Sequence, residues 1–116
     1  MSDRSPVGED QLVAVYRVVD DTELSYLESH GHYGSNPSQS GKYFALTLDG
    51  ARAFANAPMN TGSTITTTAL PRSVINRGIT FSDPGANGAG LSIFFSQQQL
   101  GDTYGTMSRP VIWKER

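Results

Sequence analysis

The 116 residues of this chain are enough for one domain around one hydrophobic core. With 37% hydrophobic and 17% charged residues and no apolar run of about 20 residues, the sequence excludes obligate disorder and predicts a soluble protein with no membrane partner. The formal charge of −2 argues against general nucleic-acid binding but leaves a specific RNA contact open, and the absence of cysteine excludes disulfides and cysteine-based zinc sites.

The first third of the chain predicts a lead-in, a strand and a helix. Residues 1–11 are polar and predict a flexible lead-in, so we expect a single domain over residues 12–116. Residues 12–19 are almost continuously apolar and rich in β-branched side chains, which is typical of a strand covered on both faces. Asp20 can cap a helix that Gly31 ends.

The rest of the chain predicts one more helix and several strands. Residues 42–47 form a second strand, and Thr47 or Asp49 caps a short helix that ends before Pro58. Further strands are expected at residues 64–70, 79–81, 91–95 and 111–113. Five or six strands with two early helices and no internal repeat predict an α+β fold.

Arg17 is the one charged residue in the first predicted strand. A buried charge is costly unless it is paired, so this guanidinium needs either a carboxylate or an anionic ligand. Alternatively, Arg17 lies on the solvent face of an edge strand or pairs with Asp20, Asp21 or Glu23. Periodicity alone leaves these alternatives open.

Two aromatic residues, Tyr43 on the second strand and Phe54 on the following helix, stand eleven positions apart. Their rings can face each other across a cleft that admits a planar ligand. The alternative is that Phe44 and Phe54 belong to the core and that Tyr43 is an ordinary strand tyrosine.

Other polar groups have weaker signals. His30 and His32 could be a pair of metal ligands, a general acid and base, or solvated loop residues. Because no third ligand stands near them in the sequence, we expect no metal. The amides of Gln97 and Gln98 follow an apolar strand and can bind a ribose or a base, or simply form a surface turn. The glycine-rich residues 83–90 lack the Lys-Ser/Thr of a phosphate loop and predict a turn.

Three segments in order resemble the opening half of the ADP-ribosyltransferase superfamily. They are Tyr16-Arg17-Val18, Gly41-Lys42-Tyr43-Phe44-Ala45 and Ala51-Arg52-Ala53-Phe54-Ala55. In that family the first strand brings an Arg or His to the dinucleotide, and the second brings a Tyr or Ser beside the nicotinamide. A later strand brings a Glu to the nicotinamide ribose. The order of these residues along the chain is the same here, but this chain has no Glu at the position that corresponds to the family's last residue.

The resemblance implies an ADP-ribosyltransferase-like split β-sheet sandwich of the α+β class, with two short helices in the N-terminal half. It implies NAD as the substrate and no metal. The catalytic residues that it implies are Arg17, Tyr43 and Gln98. The NAD-binding residues that it implies are Arg17, Val18, Tyr43, Phe44 and Phe54.

Gln98 stands where the family's Glu is expected, with Gln97 as its neighbour. An amide orients a ribose hydroxyl but supplies no negative charge, and this difference costs about 1–2 kcal/mol, or about ten-fold in rate. Asp102 or Glu115 are the acids that would otherwise take the role.

Residues 15–55, with 70–74 and 98–100, are also similar to compact C-terminal toxin domains of bacterial Rhs and other polymorphic toxins. This similarity implies interbacterial competition. We expect no secretion signal at the start of this sequence, so a larger secreted effector, such as one of type VI secretion, would deliver the domain into the cytoplasm of a target bacterium. There it would modify a macromolecule, with elongation factor Tu as an analogous target, and a cognate immunity protein would neutralise it.

Two other functions are open from the sequence. One is a metal-independent ribonuclease in which His30 or His32 acts as base or acid and Arg17 neutralises the scissile phosphate. The other is a non-catalytic binding module.

Overall fold

The computed structural model describes residues 11–34, 41–56, 63–82 and 91–113. In chain order its elements are β1 (Leu12–Val19), α1 (Asp21–His30), β2 (Gly41–Ala45), α2 (Leu48–Ala55), β3 (Thr64–Pro71), α3 (Arg72–Ile75), β4 (Ile79–Ser82), β5 (Leu91–Ser96), α4 (Gln97–Thr106) and β6 (Val111–Ile112). The predicted α+β class is confirmed. The expected lead-in, Pro58, the glycine-rich residues 83–90 and Glu115 lie outside the described residues.

The described strands form one antiparallel sheet in the order β4–β5–β2–β1–β3–β6. β1 pairs with β3 along its whole length, from Leu12 opposite Pro71 to Val19 opposite Thr64. β1 pairs with β2 only where Tyr16 faces Ala45. The sheet therefore consists of two three-stranded halves that are joined at a narrow contact.

Residue alternation gives the sheet two different faces. The core face carries Val15, Arg17 and Val19 of β1, and the second face carries Tyr16 and Val18. Helices α1, α3 and α4 contribute side chains to the core. The buried core cluster comprises Val15, Val19, Leu27, Tyr33, Phe44, Leu70, Val74, Ile75, Ile93, Phe95 and Leu100. The charged side chain of Arg17 therefore lies on the same face of the sheet as the hydrophobic core.

Helix α1 begins and ends where the sequence predicts. The Asp20 carboxylate accepts the N–H of Glu23 at 2.8 Å, which satisfies one unpaired donor of the first turn. Gly31 closes the helix with φ at +80°, a conformation that favours glycine, and its N–H bonds to the carbonyl of Leu27. The Glu23 side chain, however, does not return to Asp20 and is available for another partner.

Helix α2 packs against β1, β2 and β3, and Thr47 is its cap, since the Thr47 hydroxyl accepts the N–H of Gly50 at 3.0 Å. Ala51 is buried but lies outside the main core cluster. The Arg52 guanidinium carbon is 5.1 Å from the centre of the Trp113 ring, and Trp113 follows the strand that carries Val111 on the second face. Helix α2 therefore lies on the second face of the sheet.

Helix α4 was not predicted. Its first turn is closed by a hydrogen bond in which the Ser96 N–H donates to Oε1 of Gln99 at 2.9 Å. Leu100 and Thr103 are buried, and the helix packs against β5, β2 and β3 on the core face. Among the described residues, none of the helices combines the length and apolar character needed to cross a bilayer.

Candidate functional site

Arg17 lies on the core face and is held by three hydrogen bonds. Its Nε donates to Glu23 Oε2 at 2.6 Å and its Nη2 donates to Oε1 at 2.9 Å, so the carboxylate is bound at both oxygens. Its Nη1 donates to the carbonyl oxygen of Tyr43 at 2.8 Å. The side chain is only 16% exposed. Of the alternatives that the sequence left open, pairing with Glu23 is the one observed.

Lys42 joins the same cluster, which we call the Arg17–Glu23–Lys42 cluster. Its Nζ lies 3.7 Å from Glu23 Oε2, and the side chain is buried. Burial, followed by the charge of Arg17, lowers the pKa of Lys42, while Glu23 opposes the shift. Two cations share one carboxylate, so the three groups carry one net positive charge when all are ionised.

The cluster stands where the two halves of the sheet separate. Tyr16 and Ala45 are the paired residues of β1 and β2, and beyond them the backbone of Tyr43 has no β1 partner to bind. The Arg17 guanidinium takes the place of a backbone donor by binding the Tyr43 carbonyl. Its carbon also lies 6.0 Å from the ring centre of Tyr33 and 5.8 Å from that of Phe44. Arg17 therefore bridges β1 and β2.

Tyr33 lies beside this cluster, and Tyr104 packs against the same hydrophobic core. The Thr66 hydroxyl donates to the carbonyl of Arg17 at 2.9 Å, so the hydroxyl of Tyr33, 2.6 Å away, must donate to Thr66. Burial raises the pKa of Tyr33 to about 12. Burial also raises the pKa of Tyr104, whose hydroxyl donates to the carbonyl of Gly34. Both phenols therefore lose their proton only at a higher pH than an exposed tyrosine does.

Tyr43 projects from the second face, opposite the Arg17 side chain. Its ring is 56% exposed and lies 4.7 Å from the ring of Phe94 and 5.8 Å from that of Phe81. Ile79, Phe94 and Tyr43 are register partners across β4, β5 and β2, so they form one apolar row. The backbone of Tyr43 contacts Arg17, but its ring belongs to a different surface.

The other expected NAD-binding residues are divided between the two faces. Phe44 is 1% exposed and packs edge-to-face on Tyr33 and Phe95, so it belongs to the hydrophobic core. Alternation in β2 is the reason, since Phe44 and Tyr43 must point in opposite directions. Val18 is partly buried on the second face, and Phe54 of α2 is 43% exposed. The structure brings Val18, Tyr43 and Phe54 to one face and leaves Arg17 and Phe44 on the other.

Gln98 does not lie beside the Tyr43 ring. Tyr43 faces Phe94 in the ladder, whereas Gln98 comes two residues after Ser96, in the first turn of α4. That helix packs on the core face and Gln98 is exposed there. Asp102, the alternative acid, is exposed on the same helix.

His30 and His32 form a stacked group with two tyrosines. The His30 ring stacks on Tyr26 at 3.8 Å, and the His32 ring stacks on Tyr104 at 5.0 Å. The two imidazole centres are 6.0 Å apart. The positive φ of Gly31, +80°, gives the turn that brings His32 back toward the helix.

Sequence reasoning missed several residues of this region. It named Glu23 only as one of three acids that could pair with Arg17, and it did not identify Tyr33 as a neighbour of the cluster. Lys42 did carry a signal, because a lysine next to Tyr43 and Phe44 in an apolar strand needs a partner as Arg17 does.

No group of three or more potential metal ligands occurs in the part of the chain that the structure describes. Comparison with protein-family models, curated proteins and solved structures finds no match for this chain.

Proposed function

We propose that this chain is an NAD-dependent mono-ADP-ribosyltransferase domain with the split sheet of that superfamily. The reaction breaks the bond between nicotinamide and ribose, joins the ribose to a nucleophile of an acceptor and releases nicotinamide. The three segments that carry the resemblance fall on β1, β2 and α2. Their order along the chain is that of the family.

The sheet order supports this proposal. In the family the functional residues come from the first strand, the second strand and a later strand. Here β5, β2 and β1 lie next to one another in the sheet, although several helices and strands separate β2 from β5 along the chain. The single residue pair between β1 and β2 supports a split sheet, because the two three-stranded halves of the sheet join only at that pair.

The observation that carries the proposal is the exposed ring of Tyr43 on β2. A tyrosine that is 56% exposed beside Phe94 and Phe81 offers a flat apolar surface on which a nicotinamide ring can stack. Phe54, half exposed on the helix that follows β2 and covers the same face, is the second aromatic wall. Val18 supplies an apolar contact from β1.

Arg17 takes a different role from the one that the resemblance implied. A contact with a phosphate or ribose oxygen would require it to leave Glu23, to which it donates two hydrogen bonds. We assign it instead as a positioning residue that holds the Tyr43 backbone through its carbonyl. Gln98 is exposed on the other side of the sheet. Tyr43 and Phe54, and not Gln98, therefore carry the proposed activity.

The similarity to Rhs-type toxin domains extends this proposal to a biological setting. The domain would reach the cytoplasm of a target bacterium as part of a larger secreted effector. Its acceptor would be a macromolecule such as a translation component, with elongation factor Tu as the analogous case. A cognate immunity protein would protect the producing cell.

Labelled NAD incubated with the protein and a bacterial lysate tests the activity. We expect label on a discrete macromolecule with the unaltered chain, and a loss of at least about ten-fold with Tyr43→Ala or Phe54→Ala, since each change removes one stacking surface. Val111→Ala is the matched control, because Val111 is also 56% exposed on the second face but lies at the far edge of the sheet. It should label normally.

Absence of label with folded, unaltered protein would contradict the transferase. Equal labelling by the Tyr43→Ala and Val111→Ala variants would contradict the assigned site. Harmless expression in bacteria without a protecting protein would contradict the toxin setting.

A further inference from the structure

The histidines that the transferase does not use are held in two different states. His30 Nδ1 lies 3.0 Å from the carbonyl oxygen of Tyr26, and a carbonyl can only accept, so Nδ1 carries the hydrogen. In the neutral ring the lone pair is then on Nε2. His30 is exposed at the last residue of α1, so a substrate can approach the residue that has this lone pair.

His32 is held in the opposite tautomer. The backbone N–H of Gly34 donates to His32 Nδ1 at 3.0 Å, so this nitrogen has the lone pair. The hydrogen is therefore on Nε2, which makes His32 a hydrogen-bond donor. A metal ion at Nε2 would need the hydrogen on Nδ1, so this arrangement does not suit a metal ligand.

The two rings are close and fixed. Their centres are 6.0 Å apart, and stacking on Tyr26 and Tyr104 restrains each plane. The Tyr104 hydroxyl donates to the carbonyl of Gly34, the residue that sets the tautomer of His32. A base and a neutral donor are thus presented side by side by residues with little freedom to turn.

A cation stands beside this pair. Arg109 Nη1 lies 2.9 Å from the position that a Cβ would take on Gly31, the residue between the two histidines. Its side chain is exposed, and no carboxylate within 4 Å of it is found among the described residues. A guanidinium in this position can bind a phosphate locally, even though the chain as a whole has a net charge of −2.

We propose that His30, His32 and Arg109 form a metal-independent site that cleaves single-stranded RNA. His30 Nε2 removes the proton of a ribose 2′-hydroxyl, and the 2′ oxygen attacks the adjacent phosphorus. The phosphorus–O5′ bond breaks to leave a 2′,3′-cyclic phosphate and a 5′ oxygen, which takes a proton from water, and His30 returns its proton to the solvent. His32 Nε2–H and Arg109 bind the phosphate oxygens as negative charge develops.

A labelled single-stranded RNA, incubated with the protein in the presence of EDTA and without NAD, tests this site. We expect fragments that end in a 2′,3′-cyclic phosphate and no cleavage of DNA of the same sequence, which lacks the attacking hydroxyl. A single 2′-deoxy substitution before the scissile bond should block cleavage there.

Glutamine variants separate the roles of the two histidines. His30→Gln removes the base and should lower the rate by about 100-fold or more. His32→Gln retains an N–H near the position of Nε2, so it should cleave about ten times faster than His32→Ala. Arg109→Ala should lower the rate, and Arg72→Ala, a change of another exposed arginine, should leave it unchanged.

Intact RNA after incubation with the folded protein would overturn this proposal, as would cleavage that needs a metal or that proceeds equally on DNA. Normal cleavage by folded His30→Gln would do the same. The NAD-labelling assay on the same preparations keeps the two activities apart. Loss of labelling with RNA cleavage present refutes only the transferase, and labelling without RNA cleavage refutes only this site.

Discussion

Replacing Arg17 with methionine is the sharpest test of the Arg17–Glu23–Lys42 cluster. Methionine keeps an unbranched chain, so the change removes the charge and three hydrogen bonds while much of the apolar packing remains. It leaves the Glu23 carboxylate with Lys42 at 3.7 Å as its cationic partner, and it leaves the Tyr43 carbonyl without the donor that bridges the strands.

The structure sets the size of the effect. Removing one partner of a fully buried ion pair costs about 3–5 kcal/mol, because the other charge stays buried without compensation. Arg17 and Glu23 are 16% and 17% exposed, and Lys42 still neutralises part of the charge. We therefore expect Arg17→Met to lower the free energy of unfolding by about 2–3 kcal/mol.

Urea denaturation measures this change as a shift of the midpoint at constant slope. The double variant R17M/E23M should be more stable than the sum of the single changes predicts by about 1.5–3 kcal/mol, because each single change leaves one of the two groups buried without the other. Arg52→Met is the control, since its ion pair with Asp49 at 3.7 Å is more exposed and should contribute about 0–1 kcal/mol, and its contact with the Trp113 ring about 0.5–1 kcal/mol.

A loss below about 0.5 kcal/mol for Arg17→Met would refute the bridging role, since that is the range of ordinary surface changes. Additivity of the two single changes to within about 0.3 kcal/mol would show that Arg17 and Glu23 do not stabilise each other.

Three further predictions concern the scaffold. Gly41→Ala should destabilise the fold by about 2–4 kcal/mol in urea denaturation, because the new Cβ would overlap the carbonyl oxygen of Phe95; a change below about 1 kcal/mol would contradict this contact. The pKa of Tyr33 is about 12 in the folded protein and 10.0 in the unfolded chain. The contribution of the protonated phenol to the free energy of unfolding is therefore complete below pH 10 and is lost as the pH rises toward 12. The unfolding free energy should therefore fall more steeply over that range in the unaltered protein than in Tyr33→Phe, and equal slopes would contradict it. Thr47→Ala should cost about 1 kcal/mol by thermal or urea unfolding through loss of the α2 cap, whereas Thr47→Ser should be nearly neutral.

Local chemistry explains which parts of the fold were predictable. Asp20 and Gly31 bound α1 because a carboxylate satisfies first-turn donors and glycine adopts the left-handed conformation, and both effects act within a few residues. Helix α4 was missed because its face is only weakly apolar, although Ser96 and Gln99 have the spacing of a capping box that the sequence reasoning did not use.

The residues of the candidate sites were likewise predictable only in part. The sequence indicated that Arg17 needs a partner, since a charge in an apolar strand cannot remain unpaired at any position in a fold. It also identified Tyr43, Phe54, His30 and His32 as side chains that require an explanation.

By itself, the sequence determined the α+β class, the early helices with their caps, and the presence of an anomalous arginine. Only the tertiary structure decided that Glu23 and the Tyr43 carbonyl bind Arg17, that Phe44 is core while the Tyr43 ring is exposed on the opposite face, and that the two histidines have opposite tautomers. The physical reason is that caps and β-propensity depend on neighbours along the chain. Ion pairing, sheet face and imidazole tautomer depend instead on which distant backbone and side-chain groups the folded chain brings within hydrogen-bonding distance.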